Sequence, residues 1–499
     1  MREGDIAMKY LLGIDFGGGA SKATLLNENG AIVCENTVEY PTLYPEAGAC
    51  EQNPQDWLSA FCENTRKILA RSSIDSNQIA AIAIDSATHT YLPCDEEFKP
   101  LCNAIHWTDS RSRKQADELR ERYGDTIFEK TYHKPDPIWT LPQLVWLREN
   151  RPEIFEKIKV IFFEKDYIRY FLTDVFCTDT IEAQGSMLFD CRSMRWDDEL
   201  CALAGIDPSI LPPIKRPMDI IGSVTKKAAE ATGLYEGTPV ICGTTDTVME
   251  IFASGAVQAG DITVKLATAG RICVITDKAF PDRHMINYSH VIDGLWYPGT
   301  ATKSAAASYR WYRDTFGEDY RTLDEGAQTV SIGCDGLMFH PYLNGELTPY
   351  ADPALCGSFT GIRATHTKAH FSRAVLEGVC FSLLDNKRYL DTLKIPYRQT
   401  ATLIGGGAKG KLWQQMTADM LGITLRTTES SDSSLGSAML AGVAIGVFKD
   451  AETAAKLCVK PKDVIYPNEE NHKKYQKLFE RYQKIHDALA EIYRERWEL

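Results

Sequence analysis

Three short stretches of this chain combine residue types at spacings suited to phosphate chemistry. The run Gly405-Gly406-Gly407-Ala-Lys409-Gly-Lys411-Leu412, continuing to Gly422, reads in two incompatible ways. As a P-loop it needs Ser or Thr after Gly410-Lys411 to reach Mg²⁺, and Leu412 offers a hard cation no oxygen. As a strand (Thr400 to Ile404) entering a glycine turn and an amphipathic helix, it lets backbone approach a flat or charged ligand and adds N–H donors at the helix start. The second reading is adopted. Asp15-Phe-Gly17-Gly18-Gly19 ends an apolar run, with Lys22 just beyond. A carboxylate at the carboxyl end of a buried strand faces the ligand crevice of an open sheet, and glycine backbone can form an anion nest. That suits Mg²⁺ and phosphate, although a hairpin turn capped by an Asp accounts for the same residues. Gly243-Thr-Thr-Asp246 puts an acid at a helix start, where it could accept a hydroxyl proton in phosphoryl transfer or merely cap the helix.

A further cluster suits a polyol. Thr88-His89 follows a strand, and His106-Trp107-Thr108-Asp109-Ser110-Arg111 precedes a helix. A sugar needs donors and acceptors in fixed places beside an aromatic wall, which His89, Trp107, Asp109 and Arg111 could provide. An Asp–Arg pair that closes a loop is the plainer explanation of the last two.

These residues need elements to hold them. Lys9–Asp15, Ser21–Leu26 and Ala31–Val38 read as strands, the last two separated by the turn Asn27–Gly30. Asn53-Pro54 starts a helix running to about Ala70, and Ile79–Ile84 is a buried strand. Helices are expected over 112–123, 141–150, 165–172, 228–232 and 247–255, with a strand over 239–242. A second strand–turn–strand unit, Asp261–Ala267 and Arg271–Thr276 about Thr268-Ala-Gly270, echoes the first. It predicts an internal duplication with a boundary near Gly255. Asn471–Leu499 has the apolar spacing of a packed surface helix.

At 499 residues the chain is too long for one core. A net charge of −13 argues against a nucleic-acid partner, which leans on clustered Lys and Arg. The 14 cysteines show no C-x-x-C spacing and read as buried thiols of a reducing cytoplasm. No apolar run approaches the roughly 20 residues of a membrane helix. Met1–Met8 has no apolar signal core and reads as a short disordered lead-in.

Taken together, these stretches resemble the FGGY family of carbohydrate kinases, within the hexokinase, actin and heat-shock ATPase superfamily, and most of all its xylulokinase-type members. The resemblance runs from about residue 10 to about 450. Its most specific part is Gly357-Ser-Phe-Thr-Gly361-Ile362, seven residues, then His370-Phe-Ser-Arg-Ala374-Val-Leu-Glu377, which fits the second family signature throughout. Leu141–Glu149 resembles the first signature, with Gln143 where the family has Lys and Trp146 kept. Glu51-Gln-Asn-Pro54 with Trp57 resembles another family segment.

The resemblance implies an α/β fold of two actin/hexokinase-like (ribonuclease H-like) domains, 1–255 and 256–499, with mixed sheets flanked by helices and a cleft between them. It implies ATP and Mg²⁺, with Asp246 as catalytic base and a metal contact, and Asp15 as metal ligand. Gly17, Gly18, Gly19 and Lys22 become the first phosphate motif, and Thr268 the second. Gly405, Gly406, Gly407 and Lys409 face adenosine, and Gly436–Gly442 is a helix crossing between domains. Thr88, His89, Trp107, Asp109, Arg111 and Asp246 contact the sugar. Three departures stand out: Gly18 replaces a family Thr, Ala267-Thr-Ala269 replaces Gly-Thr-Ser, and Thr247 follows the base where Asn or Gln is usual. Thr88-His89 in place of an Arg-Glu pair argues against glycerol. The expected activity is phosphorylation of a primary hydroxyl on a small sugar, a ketopentose such as xylulose, in a cytoplasmic homodimeric enzyme without nucleic-acid or membrane partners. The alternatives are another ketose, a polyol or a linear signalling sugar, or a sugar-binding sensor that has lost catalysis.

Overall fold

The computed structural model describes residues 8–495. Residues 1–7 of the expected lead-in, and the last four of the expected C-terminal helix, lie outside them. The chain forms two compact units. One runs to Val257 and takes in Tyr288–Leu295 and Ser430–Lys460; the other holds Gln258–Asn287, Trp296–Glu429 and Pro461–Leu499.

The first unit is built on a twisted mixed sheet. Tyr10–Phe16, Ala20–Asn27 and Ile32–Glu39 form an antiparallel meander. On its other side Tyr10–Phe16 pairs in parallel with Ile79–Ser86, which pairs in parallel with Pro239–Ile241, which pairs antiparallel with Ile220–Ser223. The second unit repeats this order. Gly299–Thr302, Gly270–Val274 and Ile262–Leu266 form an antiparallel meander. Ile262–Leu266 then pairs in parallel with Thr400–Ile404, which pairs in parallel with Thr424–Thr428 and so to antiparallel Pro461–Ile465. The sequence of pairings is the same in both sheets, so the duplication read from two strand–turn–strand units extends to six strands.

Two glycines let the first sheet receive its covering helix. Helix Ser433–Ala444 lies so close to the first strand that a Cβ on Gly13 would collide with the Ser434 carbonyl and the Ala438 amide. A Cβ on Gly436 would meet the Met249 carbonyl of helix Asp246–Ala253 in the same way. Backbone contact of this kind is available only to glycine. It brings the first turns of helix Ser433–Ala444 to the carboxyl ends of the strands.

Several element bounds differ from expectation. The helix expected over 112–123 runs Arg113–Thr131, because Leu119, Gly124, Ile127 and Thr131 continue a buried stripe past Tyr123. The strand expected to stop at Ile84 continues to Ser86, which carries Asp85 into the sheet. Helix Asp246–Ala253 starts one residue early: Thr245 is its cap and Asp246 its first residue.

The C-terminal helix Glu469–Glu495 buries Tyr475, Phe479, Tyr482, His486 and Ala490 on one face. The second signature also packs there: Arg373 bonds Glu377 at 2.8 Å, and the Tyr475 hydroxyl reaches Glu377 at 3.1 Å. The last part of the most specific sequence motif, Ser372–Glu377, is thus a buried brace of the second unit. Among the described residues, no helix is long and apolar enough to cross a membrane.

Candidate functional site

In the first unit the chemistry gathers where strands Tyr10–Phe16, Ile79–Ser86 and Thr244–Thr245 end. Asp15 and Asp85 are directly paired across parallel strands, and Thr244 pairs with Asp85 on the other side. Asp15 is partly exposed, whereas Asp85 is fully buried. Helix Ser433–Ala444 supplies hydroxyls to both: Ser437 bonds Asp85 at 2.5 Å, and Ser433 bonds Asp15. Burial lifts Asp15 to about 7, and the charge of Asp246 adds to it, against the bonds from Asp85 and Ser433. Burial and the Asp15 charge push Asp85 well above the carboxylate range, so Asp85 keeps the proton the pair shares.

Asp246 sits in the first helical turn, with the Thr247 amide donating to its Oδ1 at 2.6 Å. Gly243 makes the approach possible. It has φ +69°, and a Cβ there would strike the Ile84 carbonyl. The segment is anchored by a fully buried ionic network. Lys165 pairs with Asp166 at 2.6 Å and Asp179 at 2.9 Å, and Arg169 pairs with Asp166 at 3.0 Å. Arg169 donates to the Cys242 carbonyl, Thr244 donates to Asp179 at 2.7 Å, and the His89 amide donates to Glu182. One network therefore fixes both Asp246's approach and the His89 backbone, at φ +52°.

The glycine loop has its own support. Tyr40 donates to the Gly17 carbonyl and lies 3.3 Å from Glu164, whose carboxyl is fully buried and raised by that burial. Thr42 donates to the Gly18 carbonyl and accepts from Gln52 at 3.1 Å; Gln52 in turn accepts from Trp57 at 3.1 Å. The Glu51–Pro54 segment is thus the brace of the Gly17–Gly19 turn. Lys22, expected as a phosphate counter-charge, is held by Glu35 at 2.8 Å and by Asp432.

Thr88 and His89 lie together beside Gly185, where an added Cβ would collide with both. Trp107 is 39% exposed. Asp109 and Arg111 are engaged with each other: Arg111 contacts Asp109 at 2.8 Å, Glu51 at 2.9 Å and Glu46 at 3.2 Å, and stacks on Trp146 at 4.3 Å. Asp109 also accepts from the Cys50 amide at 2.8 Å. The pair closes the loop that presents Trp107, which is the plainer of its two sequence readings.

In the second unit Thr268 is exposed at the tip of the hairpin Ile262–Leu266/Gly270–Val274, and its carbonyl accepts from the Ala305 amide at 3.0 Å. Gly405 has φ +91°, and a Cβ there would lie 2.6 Å from the Leu266 carbonyl; one on Gly407 would lie 2.9 Å from Leu266 and Trp413. The triple-glycine turn therefore packs directly on the Thr268 hairpin. Gly406 faces open space and Lys409 is exposed. Helix Lys411–Leu421 follows with no side-chain cap, which leaves its N–H donors to a ligand or to water.

Asp85, Tyr40, Glu164, Ser433 and Ser437 were missed from sequence. Asp85 was within reach, since it ends a buried strand as Asp15 does. The serines were not, because their role depends on a helix returning from residue 433.

The family comparison decides what this arrangement is. Models of the N-terminal and C-terminal domains of the FGGY carbohydrate kinases match residues 10–253 and 240–445. The chain belongs to the FGGY family of carbohydrate kinases. It is a sugar kinase, and ATP use follows from the family. Xylulose kinase of Bacillus subtilis is 32% identical over 97% of this chain and 98% of its own length. Among solved structures, gluconate kinase from Lactobacillus acidophilus superposes with a TM-score of 0.92 at 26% identity, covering 98% of this chain and all of the other. Ligand-bound xylulose kinase from the same organism gives 0.91 at 27%, covering 98% and 99%. The two-domain actin/hexokinase-like fold expected from the resemblance is the fold of these kinases.

Proposed function

We propose that this kinase transfers the γ-phosphoryl group of ATP to a primary hydroxyl of a ketopentose such as xylulose, with Asp246 as the general base. The observation that carries the base assignment is the placement of Asp246 at a helix start, beside the Asp15–Asp85 pair and tied to the His89 loop through the Lys165 network. The ketopentose is supported by near full-length similarity to xylulose kinases.

In this reading Asp246 takes the hydroxyl proton as the oxygen attacks the γ-phosphorus. His89, Thr88 and Trp107 hold the sugar, while Asp109 and Arg111 fix the Trp107 loop. Backbone N–H groups of Gly17–Gly19 and the Thr268 turn bind phosphates, and Gly405–Gly407 with Lys409 face the adenosine. Lys22 sets local charge near the first loop through its carboxylate partners. Catalysis of this type is mostly positioning and charge stabilisation.

The carboxylate set suits a hard divalent cation. Asp15 is partly exposed, its charge is crowded by Asp246, and magnesium needs only one or two carboxylates beside its waters. Asp15 and Asp246 would hold Mg²⁺, which when bound neutralises charge on the triphosphate. A cytoplasmic location accords with buried free cysteines such as Cys94, Cys201 and Cys458. A homodimer belongs to the same proposal and is read directly by light scattering.

A sugar acid is the second reading, supported by the likeness to gluconate kinase. A coupled ADP-release assay across pentuloses, polyols and aldonates tests both readings. Turnover strongest with a ketopentose supports the proposal. Binding of sugars without ADP release would replace it with a sensor.

A further inference from the structure

The second unit contains a buried carboxylate to which no role has yet been given. Glu346 is 1% exposed. Its Oε2 accepts from the Thr302 hydroxyl at 2.6 Å and the Ser382 hydroxyl at 3.1 Å. Its Oε1 accepts from the Lys303 amide at 3.0 Å and the Leu347 amide at 2.7 Å. All four donors are neutral, and burial lifts the carboxyl to about 7 although the four bonds oppose it. A carboxylate buried without a cation is costly, so what it holds matters. Thr302 ends strand Gly299–Thr302, and Lys303 opens the bend into helix Ala306–Phe316. Glu346 therefore grips that bend from both sides of one peptide bond.

The bend leads to the Thr268 hairpin. Thr302 pairs with Gly270, where a Cβ would lie 2.7 Å from the Thr302 methyl and 3.1 Å from Ala305. The amides of Ala305 and Ala307 donate to the Thr268 carbonyl at 3.0 and 3.2 Å, and that of Ala306 to the Ala267 carbonyl at 2.8 Å. In a trans peptide the carbonyl and the N–H point in opposite directions. With the carbonyls of Ala267 and Thr268 drawn to the helix start, the N–H groups of Thr268 and Ala269 are turned away from it, at an exposed hairpin tip.

We propose that Glu346 is a positioning residue for ATP: by holding the Thr302–Lys303 bend it sets the helix start that orients the Thr268 and Ala269 N–H groups toward phosphate. This rests on the reading that the Thr268 turn binds phosphate. A carboxylate offers four acceptor sites, which two amides and two hydroxyls fill. Gln can keep the same bonds, its oxygen accepting from the amides and its NH₂ donating to the hydroxyls, whereas Ala keeps none.

The test is steady-state kinetics on the full chain, with ATP and xylulose varied separately and each variant assayed about 15 °C below its own Tm. Glu346→Ala should raise the KM for ATP about tenfold and move the KM for xylulose less than about twofold. Glu346→Gln should bring the KM for ATP back to within about twofold of the wild type. Thr302→Val, which keeps the shape and removes one hydroxyl, should raise it about threefold. Ala269→Trp checks the underlying reading, because bulk on the hairpin tip should raise the KM for ATP at least about tenfold. If Ala269→Trp leaves that KM unchanged, the turn does not meet phosphate and the proposal goes with the reading. If Ala269→Trp acts but Glu346→Ala raises both KM values equally or neither, the proposal is overturned and the phosphate reading stands. Where Glu346→Ala does not fold, an unchanged KM for ATP in Thr302→Val overturns it in the same way.

Discussion

Asp15 and Asp85 face each other across two parallel strands, one partly exposed and one sealed beneath Ser437. Two carboxyls so placed cannot both ionise cheaply, and the buried one keeps the proton. Asp15 is left as the carboxylate that reaches the surface, its charge tuned by a partner that never reaches solvent.

This pairing has a pH consequence. Asp15 titrates near 7 when folded against the ordinary 3.8, so the folded state binds more protons between those values. The resulting destabilisation is absent below 3.8, grows as pH rises and is complete above 7. Asp15→Asn should raise the Tm of the ligand-free protein by about 3 °C at pH 8 and by little at pH 4. Wild-type kcat/KM for ATP should fall as pH drops through 7, as Asp15 takes up a proton. A Tm gain independent of pH would show that the carboxyl is not raised.

Asp246→Asn keeps the shape of the side chain and removes its basicity. It should lower kcat by about 10²- to 10⁴-fold while the sugar Kd, read by calorimetry, moves less than about threefold. Near-normal kcat would show that another group takes the proton.

Gly18 stands where the resemblance implies a Thr, and the loop has room for one. A Cβ at this position meets only His106, at 3.9 Å, an ordinary contact, and the residue's φ is not left-handed. Gly18→Thr should fold with unchanged Tm and lower the KM for ATP about fivefold, the worth of one added hydrogen bond. A raised KM would mean that phosphate does not lie over this loop.

Gly405 and Gly406 separate packing from ligand contact. Gly405→Ala forces a Cβ against the Leu266 carbonyl at positive φ and should lower Tm by several degrees. Gly406→Ala adds a methyl to open space. It should leave Tm alone and raise the KM for ATP about tenfold, because the methyl occupies the face offered to adenosine. If Gly406→Ala leaves the KM unchanged, the nucleotide lies elsewhere.

Lys165 has no access to solvent and neutralises Asp166 and Asp179, with Glu182 at 3.8 Å. Lys165→Met leaves Asp179 without a cation and Asp166 with Arg169 alone, and should cost about 3–5 kcal/mol of stability in urea unfolding. A cost under about 1 kcal/mol would show that the network contributes little net stability.

Much of the scaffold could be read from the chain alone. Strand–turn–strand chemistry about Gly17–Gly19 and about Thr268 is local, so alternation and turn residues reveal it. Thr400–Ile404 and the helix after Gly410 were legible for the same reason, and Leu412 by itself removed the P-loop reading. The glycines proposed to face ligand, Asp15 and Asp246 sit within a few residues of the turns that hold them, so local sequence was enough to single them out.

What only the tertiary structure decided depends on contacts between distant segments. No local pattern says that Ser433 and Ser437 will bond Asp15 and Asp85, because the contact needs two bare glycines, Gly13 and Gly436, to let backbones meet. Nor does it say that Tyr288 joins His133, or that Lys22 and Arg111 will be taken up by carboxylates rather than offered to a ligand. Charge and hydrogen-bonding capacity are properties of the residue, but whether they remain available is set by what folding packs against them.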